Sequence, residues 1–306
     1  MYSVSGDGVM ETRFLERGRV YPGSIPGRQM AKLTVPPCGD RKSMSLSTAK
    51  LYRYHVKNLH AVDSAFSHNK RLAHEAIARN ELGTLKSLTS IQTLLLGVYG
   101  EARLSKLLYE LSGFSPDERI AVKQGGALIE RWSKAIDIAF CKHYAVLMPA
   151  LTTSLPFTAR ARYLELRRML ETDLAPAFEL RNKIAHGQWE WPFVSNKDEL
   201  SMKHIQQLKT ENMLKLQFKR RLIGALADLI HDLVISVATF ERDFDARYKH
   251  IEDIRRDITT RSYTKWSTQL IEKYKKGQNL RSAQSSMKEE NHRYGWLRRL
   301  FGIRAS

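Results

Sequence analysis

Residues 218–240 read FKRRLIGALADLIHDLVISVATF, and the order of apolar residues in this stretch decides the fold class. The apolar positions recur every third or fourth residue, which predicts a helix with a wide buried face. One side of that helix carries Leu222, Leu226, Leu229, Leu233 and Val237, with Ile223, Ile230 and Val234 beside them. Asp228, His231 and Asp232 interrupt the run, so we expect a core helix and not a transmembrane segment.

Similar helical patterns extend upstream of this stretch. Residues 46–110 are periodic, with Ser45 or Ser47 as a helix cap and a second helix predicted over Leu85–Leu111. The sequence Ser115-Pro116-Asp117-Glu118 has the composition of a helix start. We expect that helix to continue past Gly125-Gly126, with Ile129, Trp132, Ile136 and Phe140 on its apolar face. No convincing series of strands is present, and the predicted class is all-α.

A further helix is predicted over residues 158–186, in front of the core helix. We expect an adjustment at Asp173-Leu174-Ala175-Pro176, where Asp173 could cap the chain again before the proline. Gly187 stands where a helix needs a left-handed residue at its carboxyl end. An irregular stretch is predicted from Gln188 to about Leu200.

Composition divides the chain into four parts. Residues 1–43 are rich in Gly, Pro, Arg and Ser and are predicted to be a flexible N-terminal segment. Residues 44–84 form an N-terminal helical segment, residues 85–240 a helical bundle, and residues 241–306 a basic helical C-terminal extension. Aromatic residues and arginines alternate over residues 293–304, which could contact a membrane surface, nucleic acid, a partner helix or the protein's own surface.

The charge of the chain indicates the class of partner. The 306 residues include 50 Lys and Arg against 32 Asp and Glu, a net charge of +18. Such an excess favours polyanions, because phosphates neutralised by cations release their counterions. We therefore expect RNA as the partner, although basic tails can also serve only to keep a protein in solution.

The cysteines and the termini indicate the compartment. Cys38 and Cys141 lie in segments of different character and do not suggest a disulfide framework, so a reducing, cytoplasmic location is expected. The sequence shows no secretion signal and no transmembrane segment.

The residues that carry chemistry lie in the sequence Leu180-Arg181-Asn182-Lys183-Ile184-Ala185-His186-Gly187. Arg181 offers a planar, permanently charged fork of donors for phosphate oxygens, and His186 can exchange protons near neutral pH. Asn182 and His186 are four residues apart and share a helix face, so Asn182 is expected to orient the imidazole. Five residues correspond to roughly 140° of rotation, which directs Arg181 to a neighbouring face.

This sequence resembles the motif of the HEPN superfamily, an arginine followed by a polar residue and, a few positions later, a histidine. The resemblance covers residues 181–187 and the surrounding helical region, and it implies a HEPN-like bundle of four or five helices that forms a homodimer. It also implies metal-independent RNA cleavage, with Arg181 and His186 catalytic and Asn182 in support, without a cofactor. Toxin or anti-phage defence is the common setting of such domains, and an antitoxin or another regulatory partner would then restrain the enzyme.

The residues themselves also favour two subunits, because one proton-transfer group per chain is sparse for acid–base catalysis. The main alternative is a non-catalytic HEPN-like module that binds RNA, a nucleotide or a partner protein. A helix that ends in Lys, His and Gly also suits the helix dipole without any catalytic role.

Three further residues, Trp189, Trp191 and Glu101, have alternative expected roles. Trp189 and Trp191 could stack on bases or could equally be core aromatics. Glu101 could pair with Arg181 and hold it, although most glutamates at such positions are solvated. The spacing of His55, His60, His68 and His74 does not suit metal ligands on one helix face, and no metal site is expected.

Overall fold

The computed structural model describes residues 46–195 and 198–301. Their helices are α1 (Thr48–Ala78), α2 (Leu82–Leu108), α3 (Pro116–Lys123), α4 (Leu128–Tyr144), α5 (Leu151–Ser154), α6 (Phe157–Met169), α7 (Ala175–Ala185), α8 (Met202–Thr210), α9 (Met213–Ile235), α10 (Val237–Thr260) and α11 (Tyr263–Phe301). A short 3₁₀ helix spans Met148–Ala150, and a π-helical turn spans Leu170–Leu174. The described residues contain no strand, only an isolated antiparallel bridge between Phe193 and Leu200, and the all-α class is confirmed.

Helix α9 lies at the centre of the core. Its residues Leu226, Leu229, Ile230 and Leu233 are completely or almost completely buried. Helices α2, α4, α10 and the π-helical turn pack around it, and α1 packs along α2 and contributes Leu59, Phe66, Ala73 and Ile77 to the same core. The described residues 46–195 and 198–301 therefore belong to one compact unit, and the expected flexible segment 1–43 lies outside the described residues.

The core helix differs from the prediction at both ends. It begins at Met213, where the Asn212 side chain accepts from the Lys215 N–H at 3.0 Å, and it ends at Ile235 instead of Phe240. Ser236 has extended backbone angles, and its Oγ accepts from the Thr239 N–H at 3.3 Å, so α10 starts anew there. The apolar pattern continues through Ser236 in the sequence. The serine side chain nevertheless accepts from a backbone N–H that a continuous helix would bond to a backbone carbonyl, and so caps a new helix.

Local capping signals at the other helix starts are confirmed. Ser47 accepts from the Lys50 N–H, and Ser115 and Glu118 form a reciprocal capping box at the start of α3. The predicted continuation past Gly125-Gly126 is wrong, because α3 ends at Lys123 and α4 begins at Leu128. Glu130 Oε2 accepts from the Gly126 N–H at 2.9 Å and thereby caps the new helix.

The predicted adjustment before Pro176 is the π-helical turn Leu170–Leu174. Proline has no N–H to donate to the preceding turn, and the wider π turn accommodates this loss. Asp173 does not cap the chain. Its carboxylate accepts instead from the Arg255 guanidinium of α10, and both side chains are largely buried.

The C-terminal extension is helical over its described part. Helix α11 contacts α1 and runs as far as Phe301, and residues 302–304 of the proposed contact segment lie outside the described residues. Within the described ranges, no helix combines the length and the apolar character needed to cross a membrane. Cys141 is a free, partly buried thiol, and Cys38 lies outside the described residues.

Candidate functional site

Helix α7 carries the Arg-Asn-Lys-Ile-Ala-His-Gly sequence and packs closely on α2. A Cβ atom on Gly97 would lie 2.5 Å from Arg181 Cγ and 2.6 Å from Arg181 Cβ. A Cβ atom on Gly100 would lie 2.5 Å from Phe178 Cε1. Any side chain at either glycine would therefore push α7 away from α2, and this close approach positions Arg181.

We expect Gly97→Ala to lower the free energy of unfolding by about 1–3 kcal/mol, the usual cost of overpacking. The added methyl group meets Cβ and Cγ of Arg181, which a rotation of the distal side chain cannot remove. The matched control is Gly83→Ala in the same helix, where nothing lies within 4 Å of the added Cβ. Urea denaturation measures the free energy of unfolding of both variants, and equal values would contradict this packing.

The Arg181 guanidinium is held on two sides. Its Nη2 donates to Glu101 Oε2 at 3.0 Å, and its Nη1 donates to Asn182 Oδ1 at 3.0 Å. Of the two alternatives that the sequence left open for Glu101, the structure has the pairing with Arg181 and not the solvated glutamate. The side chain is 27% exposed, and each terminal nitrogen keeps one further N–H for an acceptor such as a phosphate oxygen.

His186 ends α7 and is exposed. Gly187 follows with φ of 78° and donates to Ile184 O, while Gln188 donates to Lys183 O, which together form a Schellman motif. The predicted left-handed Gly187 is confirmed. Among the described residues, the His186 ring has no hydrogen-bond partner, so both ring nitrogens can reach a substrate.

The expected role of Asn182 is wrong in one respect. Its Oδ1 accepts from Arg181 Nη1 and does not orient the imidazole, because the long Arg181 side chain bends back over its neighbour. Asn182 and His186 nevertheless border one groove, as their spacing predicts, and Arg181 is not part of its lining. Within one chain, the guanidinium and the imidazole therefore belong to adjoining surfaces.

This open groove has a volume of about 1020 Å³. It is lined by Glu179, Asn182, Lys183, His186, Gln188, Phe193, Val194, Ser195, Asp198, Ser201, Lys203 and His204. Lys183 Nζ donates to Phe193 O at 2.6 Å and ties the irregular stretch to α7. Lys203 pairs with Glu179 at 2.7 Å. Polar and positive groups thus surround His186, together with two carboxylates.

His204 is a second imidazole in the groove that sequence reasoning missed. It lies on α8, outside the motif, and its Nδ1 is 2.7 Å from Ser201 Oγ. Its Nε2 is buried and lies 3.4 Å from Glu179 Oε2, in the geometry of an ion pair rather than an aligned hydrogen bond. Burial lowers the pKa of His204, and nearby Lys183 and Lys203 act in the same direction against Glu179. Ser201 and Glu179 thus enclose the His204 ring, whereas the His186 ring is exposed.

The two tryptophans after the motif are partly exposed. Trp189 is 39% and Trp191 57% exposed, so the alternative that they are core aromatics is wrong. Trp189 Nε1 donates to Ile184 O at 3.0 Å, which fixes its indole beside the end of α7. Both line a separate cavity that shares no lining residue with the groove, and base stacking remains a prediction.

Metal ligands do not cluster in the described ranges, where no group of three or more His, Cys, Asp or Glu side chains could hold an ion. Comparison of the chain with protein-family models, with curated proteins and with solved structures found no match. The function is therefore inferred from the geometry of the site.

Proposed function

We propose that this chain is a HEPN-type endoribonuclease that cleaves RNA without a metal ion. The observation that carries the proposal is the exposed His186 ring, without a hydrogen-bond partner among the described residues, in an open groove with Asn182 and Lys183. The Arg181 guanidinium lies on the adjoining surface, oriented by Glu101 and Asn182. An imidazole can transfer protons and a fixed guanidinium can stabilise phosphoryl charge, and both contributions suit metal-free phosphodiester cleavage.

In the proposed reaction, His186 removes the proton from a ribose 2′-OH. The 2′ oxygen attacks the adjacent phosphorus, and the bond from phosphorus to the 5′ oxygen breaks as that oxygen takes up a proton. Arg181 stabilises the negative charge on the phosphoryl oxygens. The products are a 2′,3′-cyclic phosphate and a 5′-hydroxyl, and DNA is not cleaved because it lacks the nucleophile.

A second copy of the chain fits this chemistry. One exposed imidazole cannot readily serve as both base and acid in one step, and Arg181 does not line the groove of its own chain. A homodimer with two motifs around one strand would supply two histidines and two guanidinium groups. The positive charge of +18 favours RNA as the partner over a neutral ligand.

Such an enzyme needs restraint in the cell, by an antitoxin, by an inactive assembly or by a trigger. A toxin or anti-phage defence role is the setting we propose for it.

The second candidate function is a non-catalytic module that binds RNA, a nucleotide or a partner protein. The position of Arg181 outside the lining of the His186 groove favours it, because the two groups that cleavage uses do not line one surface of a single chain. This module would need the same fold and the same basic surface, but no proton transfer.

Incubation of the purified full chain with end-labelled RNA in the presence of EDTA separates the two functions. We expect cleavage products with 5′-hydroxyl and cyclic phosphate ends, and no cleavage of DNA of the same sequence. Binding of intact RNA without any cleavage would instead identify the module. Loss of cleavage in EDTA that added magnesium restores would contradict the metal-free mechanism.

A further inference from the structure

A second cavity is lined by residues that directly follow those of the groove: Gln188 lines the groove, and Trp189, Glu190 and Trp191 line the cavity. Its volume is about 410 Å³, within the range of small-molecule sites. It is lined by Leu82, Leu85, Lys86, Thr89, Ser90, Thr93, Trp189, Glu190, Trp191, Ile205, Leu208, Lys209, Glu211, Asn212 and Tyr263. These residues come from α2, the irregular stretch after α7, α8 with its junction to α9, and the start of α11.

The aromatic part of the lining is suited to a flat ligand. The hydrogen bond from Trp189 Nε1 to Ile184 O holds one indole in place, and Trp191 leaves more than half of its surface exposed. Leu85, Ile205 and Tyr263 add apolar surface. Any base can stack on an aromatic side chain, because every base has a π-face.

The polar part of the lining offers a buried acceptor. The Glu211 side chain is only 4% exposed, and its Oε1 accepts from Lys219 of α9. Its Oε2 is buried and has no hydrogen-bond partner in the described residues. An unsatisfied buried carboxylate oxygen is costly, so a ligand N–H that reaches it gains a charge-assisted hydrogen bond.

The charged groups of the lining balance each other. The lining contains two lysines, Lys86 and Lys209, and two glutamates, Glu190 and Glu211, and Lys86 pairs with the exposed Glu190 at 2.5 Å. The lining therefore has no net positive charge for a phosphate, and the base is the part of a ligand that it recognises.

We propose that this cavity binds a purine base, with guanine preferred. Guanine presents adjacent ring N–H and amino donors on one edge, which suit a carboxylate oxygen. As a purine, it also has a larger stacking surface than a pyrimidine base. Adenine has an unprotonated ring nitrogen at the matching position, which repels a carboxylate. The inference deepens the proposed ribonuclease function, since a base held here would select where a strand lies in the neighbouring groove.

Calorimetric titration of the full chain with guanosine tests the inference directly. We expect guanosine to bind at least about tenfold more tightly than uridine, and Glu211→Gln and Trp191→Ala each to weaken binding about tenfold or more. Trp191 is exposed, so its truncation spares the core. The matched control is Phe157→Ala, which removes an aromatic side chain that is 80% exposed and does not line the cavity.

Absence of guanosine binding at millimolar concentration, or equal binding to wild type, Glu211→Gln and Trp191→Ala, would overturn the inference. Titrations with guanosine 5′-monophosphate and with a short RNA that contains one guanine show whether the base belongs to a free nucleotide or to a strand. Tighter binding of the RNA identifies a base within a strand, and equal binding identifies a free nucleotide; both support base recognition. His186→Ala should bind guanosine as tightly as wild type does. Guanosine binding therefore tests this inference even if the chain does not cleave RNA.

Discussion

His186→Ala is expected to lower the rate of RNA cleavage by about 10²–10⁴-fold, the usual contribution of a general acid or base. The ring is exposed and has no hydrogen-bond partner in the described residues, so its removal should leave the fold unchanged. Cleavage rates under single-turnover conditions and circular dichroism spectra of both proteins provide the comparison.

The matched control for this variant is His60→Ala on α1, which removes an exposed histidine outside the groove. Its cleavage rate should equal that of wild type. An active His186→Ala protein would exclude the imidazole from catalysis and leave the RNA-binding module as the better explanation.

Arg181→Ala is expected to lower cleavage by about 10²–10³-fold, because a fixed donor to the phosphoryl oxygens is lost. Arg181→Lys keeps the charge and the aliphatic stem that packs on Gly97, but it should recover little activity. An ammonium group cannot replace a fork whose two terminal nitrogens bond Glu101 and Asn182 at 3.0 Å each.

Arg168→Ala is the control for the arginine variants, since Arg168 forms a similar fork with Glu165 on α6, away from the groove. Urea denaturation must accompany the rates, because the Arg181 stem is part of the contact between α2 and α7. Full activity of Arg181→Lys would show that charge alone is sufficient and would contradict a role for the planar fork.

The sequence predicts the fold best where the signal is local. The capping box at Ser115 and the left-handed Gly187 depend on neighbouring residues alone, and the structure has both. The breaks at Ser236 and at Gly125-Gly126 were missed because apolar periodicity continues across them, and only tertiary packing decides whether a helix bends there.

The site was predictable as far as helix geometry determines it. The spacing of Asn182 and His186 correctly places both at one groove, and the rotation to Arg181 correctly directs it elsewhere. The hydrogen bond between Arg181 and Asn182 depends on the rotamer of a long side chain, which spacing does not determine. His204 and the second cavity depend on elements brought together from four parts of the chain.

The close approach at Gly97 and Gly100 has a consequence for how related chains can be recognised. Arg181 is positioned by two residues without side chains and by Glu101 directly after them, so Gly-Val-Tyr-Gly-Glu at 97–101 belongs to the same unit as residues 181–187. During divergence, an enlarged residue at 97 would have to be accompanied by a change at 181. A search pattern that joins both segments is therefore more selective than the short histidine motif alone.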